Sequence, residues 1–126
     1  GLIIFTTLVE GTLHELKSSW RKVDDDQHVI AFKTESELSE LFNTDASKIL
    51  EHNCQDIVLE YQNVIHLARE LKGLGANHLP EKRNRGLSGK DKWFAMTENY
   101  QDFLEPSGIY PATYRLYSGL VTKLNK

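Results

Sequence analysis

A long stripe of apolar residues in the middle of the chain constrains the fold more than any other feature. Between residues 46 and 72 the spacing of these residues alternates between four and three positions without a break. The members of the stripe are Leu50, Cys54, Ile57, Tyr61, Val64, Ala68 and Leu71. This spacing places all of them on one face of an α-helix. We therefore predict a central helix over residues 46–72.

The length and composition of the chain indicate one globular domain. The 126 residues suffice for one hydrophobic core, and the hydrophobic fraction of 40% is typical of soluble proteins. No apolar run approaches the ~20 residues of a membrane span, and the start lacks the pattern of a signal peptide. The single cysteine, Cys54, cannot form an internal disulfide, and its place on the stripe favours a buried, inert thiol. We expect one helical domain over residues 1–126, in the cytoplasm and without membrane contact.

Helical spacing in the rest of the chain predicts about four more helices. Apolar residues recur at this spacing in residues 2–23 and 93–104. Thr34 and Glu37 form a capping box at the start of another helix, and Pro111 suits the first turn of a last one. Leu116, Tyr117, Leu120, Val121 and Leu124 would form the buried face of that last helix. The predicted fold class is all-α, with about five helices around the 46–72 helix.

Two segments leave room for extended structure. The first residues are rich in β-branched side chains, so an extended start is the alternative to a helix there. Residues 28–33 form a short apolar run that is either a strand or an extended segment. The only local partner for such a strand is the segment 20–23, in a hairpin that would be marginal by itself.

Polar residues on the predicted central helix resemble the ligands of a bundle metal site. His52 and Asp56 are four positions apart, as are His66 and Glu70. At 100° per residue, however, these four side chains point away from the apolar stripe. We interpret them as a solvated face and predict no metal site and no cofactor.

The sequence offers no residue that can be assigned to catalysis. It lacks a glycine-flanked nucleophile turn, a phosphate-binding loop and the cysteine and histidine spacing of a zinc site. The pair Gly73 and Gly75 follows a helical pattern and is typical of a helix end.

A basic segment with an aromatic residue is the strongest candidate for binding. From residue 81 to 93 the chain carries five positive and two negative charges. Nucleic-acid phosphates and bases would contact Lys82, Arg83, Arg85, Lys90, Lys92 and Trp93. The competing interpretation pairs these cations with the acidic region 24–60, and the net charge of -3 favours it.

The uneven charge also fits association through protein surfaces. Leu59 and Leu67 flank the polar side of the predicted central helix and are candidate interface residues. We predict a small regulatory or interaction protein rather than an enzyme, acting through self-association, as a homo-oligomer, or through a protein partner. A nucleic-acid-binding module is the second hypothesis, and an enzyme with dispersed residues is the third.

Overall fold

The computed structural model describes residues 1–74 and 89–124, which contain both helices and a β-sheet. The helices are α1 (His14–Arg21), α2 (Glu35–Phe42), α3 (Val64–Leu74) and α4 (Gly89–Tyr100), followed by a 3₁₀ turn over Gln101–Phe103. The strands are β1 (Leu2–Leu8), β2 (Ser47–Tyr61) and β3 (Tyr110–Lys123). The prediction of an all-α fold is therefore wrong. No helix within these two ranges is long and apolar enough to cross a membrane.

The predicted central helix is in fact a strand followed by a helix. Residues 47–61 form β2, and only Val64–Leu74 is helical. Asn63 separates the two elements, because its side-chain Oδ1 accepts a hydrogen bond from the backbone N–H of His66 at 2.7 Å. The true helical pattern is confined to α3, where Val64, Leu67, Ala68 and Leu71 are buried. The apolar residues of β2 merely happen to continue that spacing.

The predicted last helix is the strand β3. Its buried residues include Tyr117, Gly119 and Val121, which recur at every second position. This period is typical of a strand, and the tyrosine and β-branched residues of the segment favour the same structure. Pro111 is tolerated because proline is compatible with the beginning of a strand as well as with that of a helix.

The first 33 residues are also more extended than the helical spacing predicts. Leu2–Leu8 form β1, so the alternative of an extended start is correct, and the helix α1 begins only at His14. Residues 28–33 belong to none of the three strands, although Val29 forms an isolated β-bridge. The proposed hairpin partner of this segment is wrong, because Trp20 lies in α1.

The capping box at Thr34 is confirmed. Thr34 Oγ1 accepts a hydrogen bond from the Glu37 N–H at 3.1 Å, and Glu37 Oε1 accepts one from the Thr34 N–H at 2.9 Å. Both bonds satisfy amides that would otherwise lack a partner at the start of α2. The helix predicted near residues 93–104 also exists, as α4 and the following 3₁₀ turn.

Contacts within the described parts of the chain group into two compact units. Unit 1 comprises Gly1–Thr12, Ala31–Ile57 and Tyr114–Lys126, and unit 2 comprises Leu13–Ile30 and Val58–Thr113. The prediction of one domain over the whole chain stays a prediction.

Unit 1 is built on the sheet, whose strand order is β1-β3-β2. β1 runs antiparallel to β3, with Leu2 opposite Thr122 and Leu8 opposite Leu116. One face of this pair packs against α2. There the ring of Phe5 lies 4.6 Å from that of Phe42 and 5.8 Å from that of Tyr117, measured between centroids.

The opposite face of the β1-β3 pair is open among the described residues. Leu2 and Ile4 project from this face and are 64% and 79% exposed. A shallow groove of about 580 Å³ crosses the sheet between Ile4, Ser118, Leu120 and the β2 segment 50–53. Exposure of apolar side chains to water is unfavourable in free energy, and exposed apolar patches of this kind often mark contact surfaces.

Unit 2 is helical. Its buried side chains include Leu16, Leu67, Leu71, Met96 and Tyr100. The helix α1 is joined to α4 by a hydrogen bond from Asn99 Nδ2 to the Ser19 carbonyl at 2.9 Å.

A buried carboxylate fixes the start of β3 to α1 within the same unit. Glu15 accepts hydrogen bonds from the backbone N–H and the hydroxyl of Thr113, at 3.0 Å and 2.6 Å. Its charge is therefore compensated by two donors despite its burial.

The contact between Gly119 and Phe5 gives a test of the sheet register. A Cβ atom at residue 119 would lie 2.6 Å and 2.8 Å from two atoms of the Phe5 ring. We expect Gly119→Ala to lower the free energy of unfolding by about 1 to 3 kcal/mol, measured by urea denaturation. Gly89→Ala is the control, because no described residue lies within 4 Å of its Cβ position, and it should change stability by less than about 0.5 kcal/mol. Equal effects of the two substitutions would contradict this packing.

Candidate functional site

The structure describes three of the six residues in the predicted nucleic-acid-binding set. Lys90 is exposed at the start of α4. Lys92 Nζ lies 3.2 Å from Asp24 Oδ2, and the half-buried ring of Trp93 lies 6.0 Å from that of Trp20. The residues outside the described ranges are Lys82, Arg83 and Arg85. The proposed binding set stays a prediction. Lys92 does pair with an acid of the region 24–60, but the pair is only 15% and 13% exposed, whereas the competing interpretation expects surface ion pairs.

The other singled-out residues are separated by the new element boundaries. His52 and Asp56 lie on β2, whereas His66 and Glu70 lie on α3. Of the candidate interface residues, Leu67 is completely buried within unit 2, while Leu59 is 44% exposed on β2.

The most tightly connected polar cluster in unit 2 is centred on Asp24. Its Oδ1 atom lies 2.8 Å from His28 Nε2, and its Oδ2 atom lies 3.2 Å from Lys92 Nζ. The three side chains are only 13%, 6% and 15% exposed. Asp24 therefore connects the loop after α1 with the first turn of α4.

Aromatic rings cover this cluster. The ring of Trp20 stacks on that of His28, with a centroid distance of 3.7 Å and an angle of 10°. Nδ1 of His28 is buried and has no hydrogen-bond partner among the residues the structure describes. His28 is thus bonded on one side of its ring only.

The same cluster has some features of a cation site. Asp24, Asp26 and His28 each offer a ligand atom, and these atoms lie within 4.8 Å of one another. However, the Lys92 ammonium already neutralises Asp24, and the Asp26 N–H already donates to Asp24 Oδ1 at 3.1 Å. We assign no metal to this cluster.

Burial by itself raises the pKa of Asp24. The hydrogen bonds with His28 and Lys92 outweigh that effect and hold the pKa below its ordinary value. The ionised form of Asp24 is consequently the form that the folded chain stabilises.

A second polar cluster, in unit 1, is centred on Arg115 of β3. Its guanidinium donates to Asp56 Oδ1 at 3.0 Å and to Glu35 Oε1 at 3.3 Å. Gly11 lies against the same side chain with a φ of +107°, and a Cβ there would approach Arg115 Cδ to 3.1 Å. Two carboxylates around one arginine make the cluster net negative, so Arg115 braces α2 and β2 rather than attracting an anion.

Cys54 belongs to this second cluster. Burial raises the pKa of its thiol, and the hydrogen bond with Glu35 raises it further. In return, the Cys54 thiol and then the Arg115 guanidinium lower the pKa of Glu35. Both effects favour the protonated form of the thiol, which is less nucleophilic than the thiolate. Cys54 is half-buried on β2, so the prediction of a fully buried thiol on a helix is wrong in that respect.

Only part of these clusters has a signal in the sequence. The run of aspartates at 24–26 and the basic residues near 92 are visible, but nothing local indicates that Asp24 and Lys92 meet. Helices over residues 46–72 and in the last segment would keep the residues of the Arg115 cluster apart, so the helical spacing does not reveal it. The sequence signal for β3 is its content of tyrosine, threonine and valine, which favour strands.

The chain is similar to a group of curated enzymes along nearly all of its length. It is 33% identical to the malonyl-[acyl-carrier protein] O-methyltransferase of Yersinia pestis over 123 residues, which is 96% of this chain and 43% of the relative. Its identity to the protein of the same name from Serratia marcescens is 34%, over 96% of the chain and 45% of the relative. It is also 35% identical to the biotin biosynthesis bifunctional protein BioHC of Teredinibacter turnerae, over 93% of the chain and 20% of the relative.

These relatives are all longer than the chain, which spans less than half of each. No family model matches the chain. The names of the relatives contradict the prediction of a regulatory or interaction protein that is not an enzyme, and the prediction of a homo-oligomer has no support in them.

From the contacts of Asp24 we predict a large loss of stability when its charge is removed. Asp24→Asn leaves the Lys92 ammonium buried without its partner, so we expect the free energy of unfolding at pH 7 to fall by about 3 kcal/mol. The wild-type contribution of Asp24 is present above the ordinary carboxyl pKa. It is lost as the pH falls through the lowered pKa of the folded chain.

The control for Asp24→Asn is Asp102→Asn. Asp102 pairs with Lys22 at 3.0 Å, but both side chains are more than half exposed, so its loss should cost less than about 1 kcal/mol. Urea denaturation of both variants across pH measures the difference. A similar, small cost for both would show that Asp24 is not a buried ion-pair partner.

The Cys54 environment predicts slow alkylation. The rate with iodoacetamide should rise with pH through a midpoint above the ordinary thiol pKa, and Glu35→Gln should increase the rate at pH 7 a few-fold. Glu40→Gln, on the same helix and exposed, should leave the rate unchanged. A rate that does not respond to Glu35→Gln would contradict the proposed contact.

Proposed function

We propose that this chain is part of an O-methyltransferase that acts on the malonyl group of an acyl-carrier protein. The observation that carries this proposal is the similarity to several enzymes of that name over 92–96% of the chain. Because the chain spans less than half of those relatives, the activity is proposed for the natural protein that contains this sequence.

This reaction can proceed without a protein side chain that bonds to the substrate or removes a proton from it. A malonyl thioester has one free carboxylate, which is ionised at neutral pH and is itself the nucleophile. Its oxygen forms a bond to the methyl carbon of the donor, while the bond between that carbon and the donor breaks and its electron pair stays with the donor. The product is a neutral methyl ester. Neither a protein nucleophile nor a general base is required.

What the protein must supply is position. The carboxylate oxygen and the methyl carbon have to be aligned, and holding two reactants in such a geometry can remove a large part of a reaction barrier. A rigid sheet with helices around it is suited to this task, because it fixes side chains on several elements. Unit 1 supplies such a support, with α2 braced against the sheet by Arg115.

The open face of the β1-β3 pair supports the proposal that the chain works within a larger protein. Leu2 and Ile4 are exposed there, and β1 lies at the edge of the described sheet. The exposed apolar side chains favour covering the face, and the unpaired backbone groups of an edge strand favour pairing with a further strand. In this proposal, polypeptide corresponding to the rest of the relatives covers that face.

The test is methyl-ester formation by the natural protein that contains this sequence. With malonyl-acyl-carrier protein and a methyl donor, we expect a mass increase of one CH₂ group on the carrier-bound acyl group. Acetyl-acyl-carrier protein is the control, because it has the same thioester and no free carboxylate, and it should not react. No product under conditions in which the Serratia marcescens enzyme forms the ester would overturn the proposal.

A chimera tests the contribution of this chain directly. We expect the Serratia marcescens enzyme to keep ester-forming activity when this chain replaces its 121 matching residues. The same enzyme lacking those residues should be inactive. A chimera that gives the wild-type circular dichroism spectrum and unfolding transition but forms no ester would count against a shared function.

A further inference from the structure

The helix α3 presents an exposed face that combines one apolar side chain with two cations. Ile65 is 49% exposed, and the exposed residues Arg69 and Lys72 lie on the same side of the helix. We infer that these three residues, the α3 face, dock an acidic surface of the acyl-carrier protein that bears the malonyl group. The inference rests on the proposed function and adds to it the surface that contacts the carrier protein.

The spacing of the three residues places them on one strip of α3. They lie at positions 65, 69 and 72, so steps of four and three residues separate them along the helix. The other side of the helix is packed into unit 2 through Val64, Leu67, Ala68 and Leu71. Because that packing fixes the helix, the α3 face is already arranged for a partner, which lowers the entropic cost of docking.

The two cations of the α3 face are available to an outside partner. The ion pairs among the described residues include neither Arg69 nor Lys72. Glu70 is next to Arg69 in the sequence, but residues one or two positions apart point in different directions on a helix. Lys92, in contrast, is largely buried and is held by Asp24. Exposed cations without an acid of their own attract carboxylates of another protein.

The helices α1 and α2 each lack one part of this combination. The exposed residues of α1 include Lys17 and Arg21, but α1 exposes no large apolar side chain. α2 exposes Leu41, but the exposed charges of this helix, at Glu37 and Glu40, are negative. An acidic partner would therefore find no apolar contact on α1 and would be repelled by α2.

The helix α4 exposes a larger apolar side chain than α3, but its exposed charges are mixed. Phe94 is 63% exposed. Lys90 and Asp91 precede it by four and three positions, and Glu98 follows it by four. An acidic partner would meet two acids and one cation around Phe94. Among the described helices, α3 is thus the one whose exposed face fits an acidic surface with an apolar contact.

A carrier-bound substrate is held through two of its parts. The malonyl group is held at the reacting position, and the protein that carries it is held at a docking surface. At the α3 face the two cations steer and orient an acidic surface, while Ile65 adds an apolar contact that excludes water. Contacts made with the carrier protein alone are the same before and during methyl transfer. They therefore strengthen substrate binding without changing the chemical step.

Charge reversal of the α3 face tests this inference in the natural protein that contains this sequence. For Arg69→Glu combined with Lys72→Glu we expect the KM for malonyl-acyl-carrier protein to rise about tenfold. The kcat should stay unchanged, because the reacting groups are the same once the substrate is bound. Lys17→Glu combined with Arg21→Glu is the matched control, because it reverses two exposed cations of α1, and it should change the KM by less than about twofold. An unchanged KM in the α3 variant, or an equal rise in the control, would overturn the inference.

Binding of the carrier protein without its malonyl group gives a measurement that does not depend on methyl transfer. In titration calorimetry the Kd of the wild type should rise with added NaCl, because salt screens the attraction between the cations and the acidic surface. This dependence should be weaker for Arg69→Gln combined with Lys72→Gln, whose side chains keep the helix propensity of the originals. Ile65→Ala should raise the Kd and leave its salt dependence as in the wild type. A Kd that responds neither to salt nor to these substitutions would contradict docking at the α3 face.

A short DNA strand is the competing ligand, because phosphates also bind exposed cations. DNA binding that is lost in the α3 variant, together with no binding of the carrier protein, would assign the face to nucleic acid and overturn the inference.

The docking inference and the methyltransferase proposal fail separately. If the wild type forms the methyl ester and the α3 variant keeps the wild-type KM, only the docking inference fails. If the wild type binds the carrier protein through the α3 face but forms no ester, only the methyltransferase proposal fails.

Discussion

The pairing of the first strand with the last one is the interaction on which unit 1 depends. β3 lies in the middle of the sheet and is hydrogen-bonded to both β1 and β2. Its register places Gly119 opposite Phe5. Because Gly119 has no side chain, the ring of Phe5 can lie over it and contact both Phe42 and Tyr117. Without this pairing α2 would have no sheet to cover. Because the paired residues lie at opposite ends of the chain, their contact closes a very long loop.

This dependence on distant contacts explains which elements the sequence predicts well. α2 carries its own start signal in the Thr34 capping box, and α4 shows helical spacing from Trp93 onward. Both signals act between residues three or four positions apart, so they can be recognised locally. The strands have no such signal. β2 is mostly exposed, which removes the clear alternation of a half-buried strand, and its apolar residues extend the pattern of α3.

The polar clusters illustrate the same limit. One interpretation of the sequence pairs the basic residues near Lys92 with acids in the region 24–60, and within the described residues Lys92 itself has such a partner in Asp24. It does not indicate which acid is chosen, because Asp24 and Lys92 are 68 positions apart and are brought together by the packing of α1 on α4. The burial of this ion pair also determines whether Lys92 is available to a ligand. An exposed lysine is available to phosphates, whereas Lys92 is needed to neutralise Asp24.

The type of reaction proposed for the natural protein would leave no residue motif for nucleophiles or bases in the sequence. Motifs for nucleophiles, bases and zinc sites record reactions in which side chains bond to the substrate or carry its protons. Transfer of a methyl group to an ionised carboxylate needs none of these, and its rate depends on alignment. Alignment is a property of the assembled sheet and helices, spread over residues that are distant in the sequence. The methyl-transfer proposal therefore rests on similarity along nearly all of the chain and not on a short motif.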